Sequence, residues 1–90
     1  MEKIKYIIEY DVDIEEKLRK LSKPVREMIR QAIEKKLIFD PVTFGKPLRY
    51  SLKGYRRLRV GDYRVIYKII EDKVLVIIVD IDHRKEVYDD

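Results

Sequence analysis

The chain has 90 residues, which suits one domain with a single core and leaves no room for a second domain holding a dinucleotide or a large substrate. Its 46% hydrophobic and 42% charged residues are a globular composition with a heavily charged surface. Without cysteine there is no disulfide framework, cysteine zinc site or thiol nucleophile, and with one histidine no metal or cofactor is expected. No apolar run approaches the ~20 residues of a membrane span and the start lacks a signal-peptide pattern, so a soluble cytoplasmic protein with no membrane partner is expected. The abundance of Lys, Glu, Ile and Tyr resembles thermophile composition.

The net charge of +4 is unevenly spread. Residues 1–44 carry 10 basic and 9 acidic side chains. Residues 45–68 carry 8 basic side chains against Asp62 alone, and residues 69–90 carry 3 basic and 7 acidic. A solvated surface explains most basic stretches. Here Lys46, Arg49, Lys53, Arg56, Arg57, Arg59, Arg64 and Lys68 have Asp62 as the one acid within their stretch of sequence, and such self-repulsion costs stability. A polyanion is the expected partner.

In chain order, residues 3–9 read as an opening strand. Ile14, Leu18 and Leu21 then recur at helical spacing over 13–21. Ser22 is placed to cap a second helix, with Pro24 in its first turn. Val25, Met28, Ile29, Ala32, Ile33 and Leu37 form its apolar stripe, so the two helices make a hairpin whose stripes are core. Residues 39–54 hold Pro41, Gly45, Pro47 and Gly54 and read as a loop. Strands follow at about 55–60, 63–70 and 73–81, turning at Gly61-Asp62 and Glu71-Asp72. The run 74–79 is apolar on both faces, as in a central strand covered on both sides. The result is an α+β domain over 1–90 of order βααβββ, an antiparallel sheet packed against an N-terminal helical hairpin.

A two-residue turn at Gly61-Asp62 sets the register of the first hairpin. Val60 then opposes Tyr63, Arg59 opposes Arg64, Leu58 opposes Val65 and Arg57 opposes Ile66. Like charges directly opposite each other destabilise a sheet. A phosphate between Arg59 and Arg64 would relieve them, because a guanidinium fork matches phosphate oxygens. On this reading, removing Arg64 relieves repulsion and leaves stability unchanged or slightly higher. Near the C-terminus, His83 and Tyr88 each have a bland reading, as a structural strand-end residue and a packing ring; an unpaired base stacked on Tyr88 is the functional one.

These residues resemble the RelE family of toxin ribonucleases, within the RelE/ParE superfamily of toxin–antitoxin systems. The resemblance is carried by Pro47-Leu48, by Leu52-Lys53-Gly54, by the hairpin Arg57-Leu58-Arg59-Val60-Gly61-Asp62-Tyr63-Arg64-Val65-Ile66-Tyr67, and by His83-Arg84-Lys85-Glu86-Val87-Tyr88. It implies a ribosome-dependent mRNA endoribonuclease that works without metal through attack of the ribose 2′-OH on the adjacent phosphate. It further implies a cognate RelB-like antitoxin, with ribosome and mRNA as the other partners. Carried over by position, Arg64 and Arg84 stabilise charge at the phosphate, Tyr88 stacks on the nucleotide, and Arg57, the fourth catalytic candidate, falls where members have a basic residue, often lysine. Lys46, Arg49, Lys53, Arg56, Arg59 and Lys68 are the RNA-binding candidates. Members with described chemistry have two lysines where this chain has Tyr55 and Arg57. Arginine is a poor general base, so Lys53, Tyr55, His83 or purely electrostatic catalysis remain open. The other readings are a ParE-like toxin, directed at gyrase and without RNase activity, and a plain RNA-binding module.

Overall fold

The computed structural model describes residues 4–83. Strand β1 (Ile7–Tyr10) leads into α1 (Val12–Lys20) and α2 (Lys23–Ala32). The Asp11 carboxylate starts α1 by accepting the Val12 N–H at 2.7 Å. Ser22 occupies the cap position of α2, but its side chain makes no capping bond. The helix runs on through a π-turn at Ile33–Leu37, and Ile33 and Leu37, four apart and on one face, are both fully buried. Of the apolar stripe, Ile29 joins them in the core, while Met28 lies outside it at 40% exposure, over the hairpin turn at Gly61.

Residues 39–54 are more structured than a loop. They form a one-turn helix α3 (Pro41–Phe44), the two-residue strand β2 (Lys46–Pro47) and a 3-10 turn at Tyr50–Leu52. Asp40 caps α3 by accepting the Thr43 N–H at 3.1 Å. Proline and glycine mark the breaks between these short pieces, and no periodicity can show in elements of two to four residues. Strands β3 (Arg56–Val60), β4 (Tyr63–Ile70) and β5 (Leu75–His83) complete the chain.

The sheet order is β1-β5-β4-β3-β2. The β3–β4 register is the one the turn dictates, with Arg59 opposite Arg64. The sheet is mixed, however: β1 runs parallel to β5, with Ile7 opposite Leu75 and Tyr10 opposite Ile78. Tight turns force antiparallel neighbours in the meander, whereas the helical crossover leaves the direction of β1 free. The β5 strand is interior, between β1 and β4, but the core covers only its Val76, Ile78 and Ile81 face. Leu75 and Ile77, on the other face, are half-buried.

A bulge decides which β5 residues enter the core. Ile66 pairs with Asp80 but Tyr67 pairs with Ile78, so Val79 is the extra residue. Strict alternation from Val76 and Ile78 would drive Asp80 and Asp82 into the core. The bulge reverses the phase, and Ile81 goes in instead.

Candidate nucleic-acid interface

Cross-strand partners share a face, so the register sorts the charged side chains. On the face away from the core, one row holds Arg59, Arg64 and Asp82. The next holds Lys46, Arg57, Ile66 and Asp80. Lys68 follows, its ammonium 6.0 Å from the Tyr55 ring centre. The chain thus brings Lys46, Arg57, Arg59, Arg64 and Lys68 together on three adjacent strands. Arg59 is exposed and Arg57 half-buried. Arg64 is 7% exposed, the only buried charged side chain among the described residues.

That burial changes the expectation for Arg64. Its other flank carries Asp82 in register, so the row reads cation, cation, anion. An opposite charge across a strand pair stabilises, and the buried aliphatic stem adds packing. Arg64 is therefore part of the framework as well as of the basic face, and its removal should destabilise.

Arg56, grouped with the RNA-binding cations in the sequence, is turned the other way. It pairs with Tyr67 on the helix-covered side, and its guanidinium donates to the carbonyls of Val42 and, at 2.8 Å, Gly45. It braces the chain around α3. Arg49 and Lys53 are exposed on the irregular segment before β3 and belong to no strand. Arg84 and Tyr88 lie outside the described residues.

His83 also departs from the basic face. It pairs with Tyr63, whose ring it meets edge-on at 5.1 Å between centroids. Tyr63 packs against the core, so His83 stands on the helix side of the sheet. Tyr55 remains on the face away from the core, beneath Lys68.

The sequence reading missed an acidic pair. Lys17 of α1 donates to Asp80 at 2.5 Å and to Asp82 at 3.3 Å. Desolvation would raise Asp80, but hydrogen bonds from Asp82, Lys17 and the Ile81 N–H outweigh it and hold its carboxyl below the ordinary value. Asp82 is pushed up, first by desolvation and then by its hydrogen bond to Asp80 and that neighbour's charge. The signal was present: Asp80 and Asp82 are two apart on a strand and so share a face. This pair, bridged by Lys17, bounds the basic surface on the β5 side.

A buried guanidinium, an exposed guanidinium and flanking lysines thus share one sheet face of an α+β protein. Its relatives define its class. The family model described as "ParE toxin of type II toxin-antitoxin system, parDE" matches residues 6–88. Toxin RelG of Mycobacterium tuberculosis is 41% identical over 49 residues, covering 54% of this chain and 56% of that one. The chain thus spans about half the length of that curated relative. The mRNA interferase toxin RelE of Escherichia coli is 30% identical over 86 residues, covering 92% and 90% of the two chains. Among solved structures, the toxin–antitoxin complex RelBE2 of M. tuberculosis matches with a TM-score of 0.86 at 28% identity, over 94% of this chain and 98% of that one. The chain belongs to the RelE/ParE family of type II toxins.

Proposed function

We propose that this toxin is a ribosome-dependent mRNA endoribonuclease restrained by a RelB-like antitoxin. The observation that carries the reading is the clustering on one sheet face, where Arg57, Arg59 and Arg64 stand on two paired strands with Lys46 and Lys68 beside them. In the reaction the ribose 2′-OH loses its proton to water as its oxygen bonds to phosphorus, the bond from phosphorus to the 5′-oxygen breaks, and the 5′-oxygen takes up a proton from water, leaving a 2′,3′-cyclic phosphate and a 5′-hydroxyl. Charge builds on the phosphoryl oxygens, and fixed cations lower that barrier. Arg57 and Arg64 fill this role, and Arg59 holds the neighbouring phosphate. Arg84 and Tyr88 retain the roles assigned by resemblance, charge stabilisation and base stacking. With His83 on the helix side, electrostatic stabilisation carries more of the catalysis than a histidine base does. The printed name of the E. coli relative, mRNA interferase toxin RelE, supports the same reading.

A gyrase-directed, ParE-like activity is the second reading, favoured by the description of the matching family model. One experiment separates the two. The toxin is expressed without an antitoxin and the 5′ ends of cellular mRNA are mapped. New 5′ ends within translated messages support the nuclease. Intact messages with DNA-damage signalling overturn it in favour of the gyrase reading.

A further inference from the structure

A second surface lies away from the basic face. Ile4, Phe39, Val42 and Phe44 are 65%, 43%, 50% and 49% exposed and converge on one groove of about 610 Å³, floored by Tyr6 and Pro41. Large apolar side chains this exposed, gathered at one place on a small protein, mark an interaction site.

The groove is held from behind. The buried Tyr67 hydroxyl donates to the Pro41 carbonyl at 2.5 Å. Arg56 donates to the carbonyls of Val42 and Gly45. Two side chains of the sheet thus fix α3 at both ends, and Val42 and Phe44 are presented on a rigid turn. Surface residues held so firmly have already met the ordering cost of binding.

The rim shows what chemistry fits. The Lys5 ammonium lies 5.9 Å from the Phe39 ring centre and that of Lys36 lies 5.8 Å from the Phe44 ring centre. Lys35 lines the groove as well. Asp40, the one acid in the lining, is engaged in capping α3. An apolar floor with lysines on its rim complements an amphipathic helix with an acidic polar face.

The geometry points to this groove as the docking site for an acidic amphipathic helix of the antitoxin. The inference rests on the antitoxin named above and adds where that partner holds on. Pro41 is fixed by Tyr67 on the helix-covered side, and Tyr6 enters the sheet where β4 ends. Arg59 and Arg64 occupy the opposite face at the other end of β4. A helix in the groove leaves the basic face open, so it tethers the antitoxin without competing with RNA.

The test uses two fluorescein-labelled synthetic peptides of about five helical turns. Both carry leucine at i, i+3, i+4 and i+7; one has glutamate at the remaining positions and the other lysine. The glutamate peptide is expected to bind the full-length toxin at least tenfold more tightly than the lysine peptide. Phe44→Glu and Val42→Glu each lower its affinity at least tenfold while the far-UV circular dichroism spectrum and RNA affinity stay unchanged. Equal binding of the two peptides, or unchanged affinity in both variants, overturns the proposal. So does an equal loss in Arg59→Ala, because the peptide then sits on the basic face. A toxin dimer in sedimentation that Phe44→Glu dissociates overturns it in favour of a second copy of this chain. Cleavage of ribosome-bound mRNA, measured on the same samples, scores the nuclease reading separately.

Discussion

His83 meets the ring of Tyr63 edge-on, with centroids 5.1 Å apart, and this contact fixes the histidine on the side of the sheet away from Arg64. An imidazole so placed contributes packing. His83→Ala is expected to cost about 0.5–1.5 kcal/mol of stability, the usual worth of an aromatic pair, and to leave mRNA cleavage within a few-fold of wild type. Denaturant titration and a ribosome-bound cleavage assay check both halves. A loss of a hundredfold or more in cleavage by a folded variant would make His83 part of the chemistry.

Arg64→Ala should fail twice. The cation lost at the phosphate costs about 10²–10³ in rate, and the 7%-exposed stem lost from the sheet costs about 1–3 kcal/mol of stability. Arg64→Lys keeps much of the stem and loses the fork, so it should recover stability more than activity. Full stability in the alanine variant would mean that Arg59 and Arg64 repel each other more than Asp82 compensates.

Gly45 is required by a neighbour. A Cβ at this position would lie 1.8 Å from the Tyr67 hydroxyl oxygen and 3.0 Å from the Arg57 carbonyl. Gly45→Ala must displace a buried tyrosine and release Pro41, at about 1–3 kcal/mol. Chemical unfolding measures this, and a variant as stable as wild type contradicts the packing described.

The hairpin and the basic face were legible in the sequence because a two-residue turn and a period of two determine every pairing from Arg57 to Ile66. Arg56 was misplaced for a related reason. Next to Arg57 in sequence, it necessarily faces the other side, yet charge counting ignores faces. The bulge at Val79 and the parallel partner of β5 were not legible. Both depend on contacts between residues far apart in the chain, about which local alternation says nothing.

RNA binding should depend steeply on salt, with log affinity falling by about 0.7 per phosphate neutralised on a single strand. Arg59→Ala is expected to reduce the slope by about that amount, since Arg59 is exposed on the basic face. Arg56→Ala should leave the slope unchanged and lower stability, because it loses bonds to Val42 and Gly45. Equal slopes in wild type and Arg59→Ala would remove Arg59 from the interface.

Alkaline pH should unfold the protein through groups whose pKa is raised on folding. Tyr67 and Tyr10 are raised mainly by desolvation, and Lys17 first by its hydrogen bond to Asp80. A raised group binds its proton more tightly in the folded state. Its contribution is whole below the unfolded pKa, about 10 for tyrosine and lysine, and is lost as pH rises through the folded value. Tm should therefore hold level up to about pH 9.5 and fall above it. A fall complete by about pH 9 would mean that other groups govern the transition.

The parallel pairing of β1 with β5 also governs when the toxin comes into being. Residues 7–10 have no sheet partner until residues 75–78 have been made. On a translating ribosome the helical hairpin emerges early, while β5, which joins β1 to the meander, emerges after every other described strand. Contacts so distant in sequence make for slow folding. Until β5 pairs, β1 has no strand beside it and the helices lack Val76, Ile78 and Ile81 to pack on, so the core closes only after the hairpin that carries the arginines has been made.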